Sequence, residues 1–266
     1  MTIKSLLIFD FDGVIIDGMD EYWSSSCKAC QKILEEKSQF IDLPTQAPKA
    51  FRQLRPWVHH GWEMVLIAAE FIRPNSSLKN EGFDSFSKHY SVKCSEALDF
   101  WQWHPKQLQN ALDSVRNESI KTNPTDWLSS HKPFPGIVDR LNNFKDEGID
   151  IAVLTTKGTS FTAELLNHLN IKITLLFGHE SGSKINVLQH LVSNHNIKGF
   201  IEDRRATLEE VIKTPDLFSI PCYLATWGYL KPNDSKDLPP EIHLLKNTTF
   251  STPLANWNSL ARVRLY

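Results

Sequence analysis

The run Leu6-Leu7-Ile8-Phe9 ends directly in Asp10, Phe11, Asp12 and Gly13, and this junction constrains the chain more than any other feature. A short apolar run without helical period suits a strand buried inside a parallel sheet. Two carboxylates two residues apart then share one side of the strand's carboxyl end, where open α/β sheets hold their ligands. Burying them together costs desolvation and repulsion unless a cation or a protonated partner offsets both. The junction predicts a metal-assisted nucleophile with an acid/base neighbour. A purely structural turn is the bland alternative, and so polar a close to so apolar a strand argues against it.

From Pro133 onward the pattern alternates helix and strand. Ile137, Leu141 and Phe144 mark a helix that Gly148 stops, and residues 149–154 form an apolar strand running into Thr155, Thr156 and Lys157. A helix marked by Phe161, Leu165, Leu166 and Leu169 precedes a strand over 173–177. A helix through Ile185, Leu188, Leu191 and Val192 leads to a strand at 199–201, which ends in Glu202 and Asp203. A helix over 207–213 precedes residues 221–226, the last clear strand. Repeated βα units with short loops predict an α/β fold with a doubly wound, parallel, Rossmann-like sheet.

Residues 19–131 read differently. Helical stretches recur over 21–36, 61–71 and 106–118 without a convincing buried strand, and six of the eight tryptophans fall here. An insertion of this length is too long for a loop. The expected organisation is a catalytic core of residues 1–18 and 132–266, with an inserted α-helical cap over 19–131 placed at the sheet's carboxyl edge.

Composition narrows the function by exclusion. A net charge of −2 gives no electrostatic case for nucleic acid or an anionic membrane. No apolar stretch approaches membrane-spanning length, and the N-terminal one is broken by Asp10 and Asp12, so a cytoplasmic location is expected. Four cysteines in 266 residues make no disulfide framework. Cys27 and Cys30 form a C-x-x-C pair, with His59 and His60 as conceivable further ligands. No second pair completes a zinc set, so helix packing is the better reading.

Four βα junctions offer compatible chemistry, and taken in order they resemble the motifs of the haloacid dehalogenase superfamily. The matching runs are DFDGV at 10–14, VLTTK at 153–157, GSK at 182–184 and IEDRR at 201–205. The resemblance is to the branch of Mg²⁺-dependent phosphatases with a helical cap after the first strand. The run ATWGY at 225–229 resembles phosphoglycolate-phosphatase-like members. Taken alone, Thr155 reads as a helix-cap hydroxyl, Lys184 as a solvated helix residue and Asp203 as a helix cap. Their joint order is what speaks for a site.

The resemblance implies a role for each residue. Asp10 would attack phosphorus and carry a phosphoaspartate, and Asp12 would serve as acid and then base. Thr155 and Lys184, with backbone N–H groups near Phe11 and Thr156, would hold the phosphoryl oxygens. Mg²⁺ would be held by Asp10, the carbonyl of Asp12, and Asp203. Many members carry a further acid four positions after the metal aspartate, where this chain has Thr207, so Glu202 or Glu209 is expected to supply the missing carboxylate. Asp17 is expected to fix the hinge into the cap. Arg55, beside Trp57 and Trp62, is the candidate cap contact to the substrate anion, against the alternative of a solvated helix face.

The implied activity is hydrolysis of a small phosphorylated metabolite. A phosphosugar mutase on the same core, or a catalytically weak regulatory or binding protein, are the alternatives. Dehalogenation is disfavoured by Asp12, and phosphonate hydrolysis lacks an identifiable cap lysine. Neither the substrate nor the oligomeric state is legible in the sequence.

Overall fold

The computed structural model describes residues 5–35 and 43–257. The chain divides into two compact units, Met1–Asp17 with Lys132–Tyr266, and Gly18–His131. Among the described residues no helix is long and apolar enough to cross a membrane.

The first unit is built on β1 (Ser5–Phe9), β4 (Ile149–Leu154), β5 (Leu175–Phe177), β6 (Asn196–Glu202), β7 (Cys222–Ala225) and β8 (Ile242–Leu245). All neighbours run parallel, in the order β5-β4-β1-β6-β7-β8. β1 lies at the centre, with Phe9 opposite Val153 on one side and Ile201 on the other. Its run is apolar because both faces are covered. Leu6 and Ile8 face a core shared with Leu188 and Leu191 of helix Lys184–Val192 and with Leu208 and Val211 of helix Arg205–Lys213. Phe9 points to the other face, where the rings of Phe144 and Phe250 both lie 6.1 Å away.

Strand order reverses between β1 and β6, because the chain moves outward from β1 through β4 and β5 and then returns to its other side. Such a reversal point, outside the carboxyl ends of the strands, is where sheets of this kind bind ligands. β8 is an addition to the sequence reading, which took residues 221–226 as the last clear strand. Residues 242–245 pair with β7 along its whole length and close that edge.

Two short strands, β2 (Ile16–Asp17) and β3 (Lys132–Pro133), pair antiparallel where the chain leaves and re-enters the core. Within Gly18–His131 the described secondary structure is helical, led by Met19–Glu35, Gly61–Glu70, Tyr90–Trp101 and Pro105–Thr122. Residues 63–70 of the second of these helices are all buried, which suits a helix apolar nearly all round. Glu21 is also buried, where Arg116 grips it through two hydrogen bonds of 2.7 and 2.8 Å and Ser25 donates at 2.6 Å.

Candidate active site

Asp10 is the first residue past β1, and its N–H still bonds Ile201 of β6 at 2.8 Å, so the ladder holds its backbone against the reversal point. The chain then turns tightly. Phe11 accepts from Ile15, Gly13 donates to Ile16, and Gly13 adopts a φ of +94°, which a side chain would strain. A Cβ at Gly13 would also sit 2.0 Å from Oδ2 of Asp203. This glycine is required by both conformation and space.

On the neighbouring strand, β6 ends in Glu202 and Asp203 follows it. Glu202 bends back on its own loop, with Oε1 accepting from the N–H groups of Asp203 and Arg204 at 3.2 and 3.1 Å. Its Oε2 meets Nζ of Lys184 at 2.7 Å, and the same ammonium donates to Oδ1 of Asp10 at 2.7 Å. Lys184 reaches this point because Ser183 caps its helix, its side chain accepting from Asn186 N–H. Asp10, Glu202 and Asp203 each offer an oxygen within 4.8 Å of the others.

Charge follows from that crowding. Burial, and next the Glu202 carboxylate, push Asp10 up to about 6 against the pull of Lys184. Burial acts on Glu202 in the same sense, yet the Lys184 ammonium outweighs it and holds Glu202 below the usual carboxylate range. Lys184 is held above its ordinary value by the two carboxylates, against its own desolvation.

Thr155 is buried just past β4, where its N–H bonds Phe177 and its hydroxyl accepts from Lys157 N–H at 3.1 Å. Thr156, its partner in the sequence reading, is exposed. The sequence reading missed Lys157. Its side chain is 3% exposed and its Nζ lies 3.3 Å from Oδ1 of Asp12. The residue stands inside the VLTTK run, but nothing local signals its burial, because most lysines are solvated.

Of the two acids weighed for the position that Thr207 occupies, Glu202 is the one that meets Asp10 and Asp203. Glu209 instead faces Arg205 at 2.6 Å and Lys213 at 3.7 Å along its own helix. Arg55 belongs to the helical unit, with its guanidinium 5.1 Å above the Tyr22 ring. His59 and His60 donate backbone N–H groups to Glu63 at a helix start. Cys27 and Cys30 lie on helix Met19–Glu35, and burial pushes the Cys27 thiol up to about 12 and that of Cys30 higher still.

The donor set also tests whether a metal fits. Asp10 and Glu202 pair with Lys184 and Asp12 with Lys157, while Asp203 stands beside Asp10 and Glu202, so the site holds four carboxylates to two ammonium groups. An all-oxygen, anionic set of this kind suits a hard divalent cation such as Mg²⁺. The residues fit the ion.

A parallel sheet that gathers acids and lysines at its reversal point defines a class, the α/β enzymes whose chemistry sits on strand ends. The model of haloacid dehalogenase-like hydrolases matches residues 4–192, and the chain belongs to that family of hydrolases. Similar solved structures include a predicted phosphatase from Clostridium acetobutylicum, with 16% identity, 99% of each chain covered and a TM-score of 0.52. A predicted phosphoglycolate phosphatase from Haemophilus somnus gives 16% identity, 98% of this chain, 100% of the other and a TM-score of 0.55. A provisional β-phosphoglucomutase from Thermotoga maritima gives 15%, 97%, 99% and 0.51. At these identities the likeness speaks for the fold alone. No curated protein matches the sequence.

Proposed function

We propose that the core hydrolyses the phosphate monoester of a small metabolite, with Asp10 as nucleophile, Asp12 as acid/base and Mg²⁺ as cofactor. One observation carries the reading. Asp10, Glu202 and Asp203 meet at the reversal point of the sheet with Lys184 bridging two of them.

Chemistry follows from those positions. A carboxylate oxygen of Asp10 bonds to phosphorus as the ester P–O bond breaks, and the protonated Asp12 gives its proton to the leaving oxygen. Asp12, now a carboxylate, takes a proton from water. The water oxygen bonds to phosphorus, the Asp10 linkage breaks, and inorganic phosphate leaves. Lys184, the Thr155 hydroxyl and main-chain N–H groups near Phe11 and Thr156 hold the equatorial oxygens. Lys157 orients Asp12 through their 3.3 Å ion pair. Asp10, Glu202, Asp203 and the main-chain carbonyl of Asp12 would hold Mg²⁺, which when bound neutralises charge on the phosphoryl group. Positioning and charge stabilisation supply most of the rate in such transfers. A cytoplasmic setting is part of the reading, supported by four cysteines that are all free.

The test is phosphate release from p-nitrophenyl phosphate with and without Mg²⁺, with Asp10→Asn as control. Turnover that needs the metal and is lost in the variant is the expected result. An inactive parent, or a fully active variant, overturns the reading.

A further inference from the structure

The segment Trp227–Tyr229 follows β7 and presses on the turn after β1 at Gly13 and Val14 and on Asp203. Gly228 lies so close that a Cβ there would sit 2.3 Å from the carbonyl oxygen of Gly13 and 2.4 Å from Cβ of Asp203. The indole N–H of Trp227 donates to the Val14 carbonyl at 2.9 Å. The ring of Tyr229 backs onto Gly13, where a Cβ would come within 2.7 Å of it. Two hydrogen bonds then run from Tyr229 in different directions. Its main-chain N–H donates to Oδ2 of Asp203 at 2.7 Å, and its phenol donates to Oδ1 of Asp17 at 2.6 Å.

We propose that Tyr229 is a positioning residue, whose phenol anchors it to the linker residue Asp17 so that its N–H holds the Asp203 carboxylate in its metal-binding orientation. The inference rests on the Mg²⁺ reading above. Asp17 ends β2, the last stretch of core before the chain passes at Gly18 into the helical unit. A carboxylate acceptor makes the phenol bond a strong one, and it fixes a loop that otherwise has no strand to hold it. A carboxylate that ligates a metal needs a partner to fix which oxygen faces the ion, and the N–H of Tyr229 takes that part. Asp17, expected to fix the hinge, is thereby tied to Asp203 through the phenol and the main-chain N–H of one residue.

The experiment titrates Mg²⁺ into the full chain by calorimetry for the parent, Tyr229→Phe, Asp17→Ala and the double variant, with a melting temperature for each. Tyr229→Phe keeps the N–H to Asp203 and loses only the anchor. On the order of tenfold weaker Mg²⁺ binding is expected in each single variant, the scale on which such partners act. The double variant should lose less than the sum of the two single losses, because the phenol–Asp17 bond is absent from each. Melting temperatures that fall while Mg²⁺ affinity stays at the parent value would reduce Tyr229 to a packing role and overturn the inference. Additive losses in the double variant would also overturn it. A parent that binds no Mg²⁺ overturns the metal reading and this inference with it.

Discussion

Replacing Lys184 by Met removes one ammonium that serves two buried carboxylates, and the consequence can be worked from the distances. Nζ lies 2.7 Å from both Asp10 and Glu202, whose side chains are 10% and 2% exposed. At an effective dielectric of ~20, each contact is worth about 6 kcal/mol before desolvation is subtracted. Net losses from breaking a buried pair run at about 3–5 kcal/mol. The deficit must also depend on pH. Asp10 is pushed up to about 6 with the lysine present; without it Asp10 rises further, and Glu202 loses the cation that holds it low and rises with its burial. A raised acid pKa means that the folded state binds more protons than the unfolded chain, so stability is lost as pH rises and regained as it falls. Each unit of pH below the raised value returns about 1.4 kcal/mol per carboxyl. Urea unfolding of metal-free parent and variant at pH 8 and pH 5 should show the larger gap at pH 8. A gap of the same size at both, or one below about 1 kcal/mol at pH 8, would refute the reasoning.

Further predictions follow from the same contacts. Mg²⁺ must displace the proton that Asp10 holds below about 6, so apparent affinity should rise with pH up to that value and level off above it. Calorimetry in buffers of different ionisation enthalpy should register proton release on the acid side only. Gly13→Ala should cost about 1–2 kcal/mol for its positive φ alone and should weaken Mg²⁺ binding, because the methyl would displace Asp203. Unfolding and metal titration of that variant check both effects. Arg116→Leu removes the guanidinium from the buried Glu21 carboxylate and should destabilise the protein by about 3–5 kcal/mol, read by urea unfolding at neutral pH.

The sheet was legible wherever an apolar run met a polar end. Residues 149–154 match β4 to the residue, and Gly148 stops the preceding turn in the left-handed conformation expected of it. β8 was obscured because no helix intervenes between Ala225 and Ile242, so the βα rhythm that revealed the other strands is missing there. β5 has three residues and starts at Leu175, two later than the apolar run suggested, which is too short for periodicity to place. Asp10, Asp12, Lys184, Glu202 and Asp203 could be singled out because each stands at a strand end or helix start. Lys157, Tyr229 and the Glu21–Arg116 pair were not. Their significance lies in contacts across the fold, such as the 95 positions between Glu21 and Arg116, and no local spacing encodes those.

The central claim is that Asp10 takes the phosphoryl group itself, and it can be read directly. In Asp12→Asn the first displacement on p-nitrophenyl phosphate proceeds, since that leaving group needs no proton, while the second lacks its base. Acid-quenched variant digested for mass spectrometry should carry one phosphoryl group on the peptide containing Asp10. Phosphate found on another residue, or none on any peptide while the parent turns over, would contradict the account.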